Sequence, residues 1–189
     1  MPRPTTDAAG NNITYYAVFF PHGMTITQNG MSSCAPRGFC AYHSAVKAQL
    51  GVGEFYYGVH PDMEAGSGCD TGCGKGLTPF ANYTSVASHE AAETITDPEV
   101  NLATADAPPL GWYDDNGLNS GEVGDLCNGQ QASIVGGDGQ TYTVQKLFSN
   151  IYNNCIVVQP IITVDTLSPV SVAGHCNLSD AITAANTDC

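Results

Sequence analysis

His89 and Glu93 stand four residues apart in the stretch Ser88-His89-Glu90-Ala91-Ala92-Glu93-Thr94-Ile95-Thr96-Asp97-Pro98. Positions i and i+4 of a helix share a face, so this pair can grip one metal ion. Glu90 then points to a neighbouring face, within reach of a water on that ion. This is the layout of a zinc peptidase helix, with a carboxylate where the commoner H-E-x-x-H motif has its second histidine. A catalytic zinc takes three protein ligands and a water, so one ligand must come from elsewhere. The segment Gly121-Glu122-Val123-Gly124-Asp125-Leu126-Cys127 is the best source. Either Glu122 or Asp125 ligates, Glu122 being slightly preferred, while the other orients His89 through its free ring nitrogen. Glu99, six residues past Glu93, is a further option that requires Pro98 to redirect the chain. His43 offers a ligand or a donor to a developing oxyanion, against the plainer role of a satisfied histidine on a strand. Tyr113 offers a hydrogen bond to a tetrahedral intermediate. Asp114 and Asp115 read as solvated turn residues, and His22, His60 and His175 have no partner pattern. On its own, H-E-x-x-E is short enough to be merely the solvated face of a surface helix.

The elements that must hold these groups are legible around them. Residues 13–20 read as a buried strand, residues 25–27 as a short partner, and residues 39–45 and 55–59 as two more strands, the first carrying His43. Residues 62–79 are rich in Gly and Cys and read as a disulfide-pinned loop. A helix starts at Asn82 or Thr84, with Thr84 as its cap, and stops before Pro98. Val86, Ala91, Ala92 and Ile95 give it apolar contact. Residues 99–120 form an irregular loop. A hairpin over 133–148 turns at Gly136-Gly137-Asp138-Gly139, and 156–158 is a last strand. Beyond Pro160 the composition changes: 161–175 read as a strand and turn, and 176–186 as a short helix capped by Ser179. The fold class predicted is α+β, a mixed sheet packed on an active-site helix, disulfide-stabilised and zincin-like.

With 189 residues the chain suits one domain, or one domain and an appendage, with a real core. Five Lys and Arg against 18 Asp and Glu give a formal charge of −13, which excludes the electrostatic footprint of a nucleic-acid or anionic-membrane binder. Eight cysteines and little lysine favour an oxidising, extracytoplasmic compartment with up to four disulfides. Eight cysteines allow 105 pairings, so spacing does not decide connectivity; short closures Cys34–Cys40 and Cys69–Cys73 are candidates, with Cys127–Cys155 and Cys176–Cys189 next. No apolar run reaches the ~20 residues of a membrane span, and the first ten residues lack the apolar stretch of a signal peptide. Asn12, Asn82 and Asn177 are glycosylation acceptors by sequence, relevant only in a eukaryotic secretory host.

Ser88-His89-Glu90-Ala91-Ala92-Glu93, Thr96-Asp97-Pro98, Gly111-Trp112-Tyr113-Asp114 and Gly121-Glu122-Val123-Gly124-Asp125-Leu126-Cys127 occur in that order. The series resembles the Exordium-like, or phosphate-induced, secreted proteins of plants and their bacterial and fungal metallopeptidase-like relatives. Phe39-Cys40-Ala41-Tyr42-His43 and the closing Tyr142-Thr143-Val144-Gln145-Lys146 resemble the same family. The resemblance covers about residues 13–158, with an insertion before Trp112, and implies a secreted, metal-binding protein and, less directly, a peptidase. Val164-Asp165-Thr166-Leu167 and Cys176-Asn177-Leu178-Ser179-Asp180-Ala181-Ile182 are similar to an element that opens extracellular bacterial β-helix regions. The organisation expected is a loose segment 1–12, a metallopeptidase-like domain 13–158 and a tail 159–189, within a longer extracellular chain.

The leading expectation is a secreted zinc peptidase acting on a protein or peptide. His89, Glu93 and Glu122 or Asp125 hold Zn2+, Glu90 is the general base, and His43 or Tyr113 steadies the oxyanion. Two carboxylates and one histidine leave the metal less electrophilic than two histidines and one carboxylate, which predicts slower hydrolysis or tolerance of other divalent ions. The alternative is a non-catalytic extracellular or cell-wall binding module that retains a structural metal. Calcium held by the acidic loops is a third reading, disfavoured by His89.

Overall fold

The computed structural model describes residues 4–8, 10, 12–46, 55–73, 78–100, 111–115 and 121–157. The tail 159–189, with Cys176, Cys189, His175, Asn177 and its expected helix, lies outside the described residues.

The described fold is α+β. Aromatic and β-branched residues build β1 (Tyr15–Phe19), β4 (Tyr42–Val46) and β5 (Phe55–His60) into a mixed sheet of order β1-β5-β4. β5 runs parallel to β1, with Tyr15 opposite Tyr56, and antiparallel to β4, with His43 opposite Gly58. β2 (Thr27–Gln28) and β3 (Met31–Ser32) form a hairpin. Its turn is Asn29-Gly30, both at positive φ (50° and 79°), as a two-residue hairpin turn demands. The expected strand at 25–27 is therefore one arm of a local hairpin. The 133–148 hairpin forms as β6 (Gln131–Val135) and β7 (Thr141–Gln145), followed by a second pair, β8 (Leu147–Ser149) and β9 (Asn154–Ile156).

The short α1 (Cys69–Gly72) precedes α2, which spans Pro79–Thr96. Thr78, not Thr84, caps α2: its hydroxyl accepts from the Ala81 N–H at 3.1 Å, and Pro79 occupies the first turn, where its missing N–H costs nothing. Thr84 sits inside the helix and donates its hydroxyl to the Thr143 carbonyl at 2.7 Å, tying α2 to β7. The helix stops at Asp97, as Pro98 requires.

α2 lies against β7 and touches β5 and β4. Its buried residues are Asn82, Ser85, Val86, Glu90, Glu93 and Thr94. The inward stripe is thus polar, the reverse of an ordinary amphipathic helix. Ile95, expected to give apolar contact, is 81% exposed, because the face it occupies looks away from the sheets. A small apolar cluster of Met63, Cys69, Cys73 and Val86 sits beside the N-terminal half of α2.

Among the described residues three disulfides form: Cys34–Cys69, Cys40–Cys73 and Cys127–Cys155. The candidate local closures Cys34–Cys40 and Cys69–Cys73 are replaced by two crossing links. Cys69 and Cys73 lie one helical turn apart on the same side of α1, so each meets one cysteine of the 34–40 loop. No helix among the described residues is long and apolar enough to cross a membrane.

Candidate metal centre

His89 and Glu93, one turn apart on α2, meet directly: His89 Nε2 lies 2.9 Å from Glu93 Oε2. Glu93 is 2% exposed. Its other oxygen, Oε1, accepts from the Asp125 backbone N–H at 3.1 Å, which holds the carboxylate in place. The chain reaches this point through a 3₁₀ turn, Asp125–Cys127, anchored by the Cys127–Cys155 disulfide and by the Asp114–Gly121 bridge. Asp125 Oδ1 then stands 3.7 Å from His89 Nε2. His89, Glu93 and Asp125 each offer a ligand atom, all within 4.8 Å of one another. Of the two acidic residues in this segment, Asp125 joins the helix pair, while Glu122 turns towards His43.

Gly124 makes this approach possible. A Cβ on it would fall 2.8 Å from both Glu93 Oε1 and His89 Nδ1. Gln145, at the end of β7, closes the same corner. Its side-chain NH2 donates to the Gly124 carbonyl at 2.7 Å and lies 2.8 Å from His89 Nδ1. Both hydrogens of one NH2 are thus used, Nδ1 acts as acceptor, and the neutral His89 ring carries its proton on Nε2, facing Glu93.

His43, on β4, forms the other half of the cluster. Its Nδ1 lies 3.3 Å from Glu90 Oε2 and 3.7 Å from Glu93 Oε2. Its Nε2 lies 3.2 Å from the Asp97 carbonyl and 3.3 Å from Glu122 Oε1. A carbonyl only accepts, so Nε2 bears a hydrogen. His43, Glu90 and Glu93 make a second group of ligand atoms within 4.8 Å, all three residues buried. With both nitrogens committed, His43 positions Glu90 rather than standing free for an oxyanion. Tyr113 is 46% exposed and makes no hydrogen bond to the cluster among the described residues. Glu99 joins neither ligand group among the described residues. Cys40, Cys69 and Cys73 also converge, but as disulfide sulfurs rather than thiolates.

The electrostatics follow from burial. Burial pushes the His43 pKa down, but the Glu122 and Glu90 carboxylates outweigh it and raise the ring to about 10. For His89 burial is again outweighed, here chiefly by Glu93, and the pKa rises to about 9. A second proton on His89 Nδ1 would point at the Gln145 amide nitrogen, so an imidazolium there requires that amide to turn. Burial raises the Glu93 carboxyl, with His89 pulling the other way. Burial also raises Asp97, opposed by the Gly111 N–H and reinforced by Glu122. Asp97 Oδ2 is buried without a hydrogen-bond partner, and buried Glu122 Oε1 has the His43 Nε2 contact at 3.3 Å.

Sequence reasoning gave no role to Gly124, Gln145 or Asp97. The small residue between Glu122 and Asp125 was the signal for close approach, and Gln145 stood inside the recognised closing segment. His60, read as incidental, is fully buried on β5, with Nε2 3.3 Å from the Tyr15 hydroxyl. His22 is exposed and lies 3.0 Å from Asp62.

No family model matches the chain, and no curated protein or solved structure matches it. The chemistry therefore rests on this geometry. One imidazole and two carboxylates per group, mostly buried, form a donor set that a borderline divalent ion accepts, with His89 Nε2 free to ligate once its proton moves to Nδ1 and the Gln145 amide turns.

Proposed function

We propose that this centre binds zinc and hydrolyses peptide bonds, on a scaffold of zincin-like build. The observation that carries the reading is the convergence of His89 Nε2, Glu93 Oε2 and Asp125 Oδ1, one ligand atom from each residue. Asp125 is preferred to Glu122 as third ligand because Glu122 faces His43 instead. The order of motifs shared with Exordium-like proteins and their metallopeptidase-like relatives supports the same reading, as do three disulfides for an extracellular setting.

His89, Glu93 and Asp125 would hold the zinc ion, which would supply a water of lowered pKa and a Lewis acid for the scissile carbonyl. Glu90, buried one residue from His89, would act as the base for that water's proton and as the acid for the leaving amine. His43 holds Glu90 in position through the 3.3 Å contact. The side chain of Asp125 is 47% exposed and that of His89 14%, so the centre opens to solvent on this side, where a peptide can approach. The Glu90–His43 side is closed. Tyr113 is the group left to meet the oxyanion.

The test is metal analysis of protein purified without chelator, together with cleavage of a fluorescent casein by wild type and Glu90→Gln. Cleavage lost in the variant while zinc stays at the His89 position supports the hydrolase. Stoichiometric zinc without cleavage in either form favours the binding module. Absence of any stoichiometric divalent ion overturns the metal reading.

A further inference from the structure

His43 is arranged as a metal ligand at least as well as His89 is. Its Nε2 donates to the Asp97 carbonyl, the kind of contact that fixes the tautomer and ring orientation of metal-bound histidines. That leaves Nδ1 directed between Glu90 Oε2 at 3.3 Å and Glu93 Oε2 at 3.7 Å. An imidazole lone pair and two carboxylate oxygens repel one another in a buried space unless positive charge lies among them. Tetrahedral zinc with ligands at ~2.0–2.1 Å separates its ligand atoms by roughly 3.3 Å, close to the spacing here.

The surrounding charge points the same way. His43, Glu90 and Glu93 are 5%, 4% and 2% exposed. Behind His43, the fully buried Asp97 keeps Oδ2 without a hydrogen-bond partner, while Glu122 Oε1 faces His43 Nε2 at 3.3 Å. Every ion pair among the described residues uses a histidine, so no Lys or Arg offsets these carboxylates there. Buried carboxylates in this excess take up either protons or cations.

We propose that His43 Nδ1, Glu90 and Glu93 form a second divalent-cation site, bridged by Glu93 to the His89–Glu93–Asp125 site, so that the centre is dinuclear. The inference rests on the metal reading above, and in the dinuclear state Glu90 is a ligand, so its general-base role belongs to the singly loaded centre. Carboxylate-bridged pairs of ions are an established catalytic arrangement, with both ions contacting the reacting oxygens. The rival occupant of the second site is a proton, carried by His43 as an imidazolium.

Chelator-stripped protein is titrated with Zn2+, free metal is removed by desalting, and zinc per chain is counted for wild type, His43→Ala, Glu90→Gln and Asp125→Asn. A parallel Co2+ titration follows the visible bands of each site. Wild type is expected to hold two ions, and each variant one. His43→Ala and Asp125→Asn are expected to lose different cobalt bands. Glu90→Gln keeps the shape of the side chain, so a lost ion there reports the site even where His43→Ala fails to fold by circular dichroism. Saturation of wild type at one ion, or two ions retained in Glu90→Gln, overturns the second site alone. Zero ions in every form removes the metal reading with it.

Discussion

Glu93 Oε2 lies 2.9 Å from His89 Nε2 on its own helix and 3.7 Å from His43 Nδ1 on β4. One carboxylate oxygen thus joins the helix histidine to the strand histidine, and the position of α2 against the sheet sets the geometry of the whole centre. The partner oxygen is fixed by the Asp125 N–H, so Glu93 cannot swing to favour either ring.

Gly124→Ala is expected to weaken zinc binding by roughly 5- to 150-fold. The backbone at Gly124 is ordinary right-handed helical (φ −84°), so the variant suffers no conformational strain. The added Cβ would instead press on Glu93 and His89 at 2.8 Å. Overpacking of this kind costs about 1–3 kcal/mol. Competition with a chromogenic chelator gives the zinc affinity, and an unchanged Kd contradicts the close approach.

Gln145→Glu is expected to tighten zinc binding at His89. Ligation through Nε2 needs the ring proton on Nδ1, where Gln145 now presents an amide nitrogen at 2.8 Å. A carboxylate accepts that proton, as in the carboxylate–histidine–zinc arrangement, whose outer partner is worth about 10–100-fold in affinity. Both variants strand the Gly124 carbonyl that the Gln145 amide now serves, but only Gln145→Leu also lacks an acceptor for the Nδ1 proton, so it should bind more weakly than Gln145→Glu. If both variants bind zinc as wild type does, Gln145 does not set the tautomer.

The metal-free protein should lose stability as pH rises through the alkaline range. The folded pKa of His43 is about 10, above its ordinary value of 6.5. A raised folded pKa stabilises fully below the unfolded pKa and loses that effect as pH climbs through the folded one. The melting temperature of the stripped protein should therefore fall between about pH 6.5 and pH 10. Zinc should remove this dependence and release protons on binding at pH 7, because ligands must be deprotonated. Calorimetry in buffers of different ionisation enthalpy counts the protons, and a count of zero contradicts the prediction.

Cys40→Ser/Cys73→Ser is expected to cost about 3–4 kcal/mol, the chain-entropy value for a loop of this size. The bond closes 33 residues and, with Cys34–Cys69, staples α1 to the 34–40 loop. Peptide mapping of the unreduced protein should return 34–69 and 40–73 pairs. Recovery of 34–40 and 69–73 pairs would contradict the crossed arrangement.

The sequence was most readable where local rules decide. Alternating aromatic and β-branched residues announced β1 and β5, and the Gly-rich turn announced the β6–β7 hairpin. The histidine–glutamate spacing brought a facing pair because helical period alone determines it. What failed depends on tertiary contact. Thr84 has the chemistry of a cap, yet Thr78-Pro79 starts the helix earlier, and Thr84 bonds to β7 instead. Ile95 reads as an inward residue only if the helix buries an apolar stripe; here it buries carboxylates. Cysteine pairing could not be read from short spacing, since Cys69 and Cys73 share one face of a helix. Asn82, an acceptor sequon by sequence, is 1% exposed and donates to the Asp70 carbonyl at 3.3 Å, which closes it to modification in the folded protein. Glu122 read as the slightly better third ligand, yet it is Asp125, opening the 3₁₀ turn, that reaches His89, while Glu122 faces His43.

The polar inward stripe of α2 has a consequence for how this molecule ages and varies. Expelling water from Asn82, Ser85, Glu90 and Glu93 yields little adhesion, so the helix is held to its sheets by hydrogen bonds such as Thr84 to Thr143 and Gln131 to Ser85 and by whatever neutralises its acids. A descendant that lost that neutralising partner would have to rebuild its interior with hydrocarbon.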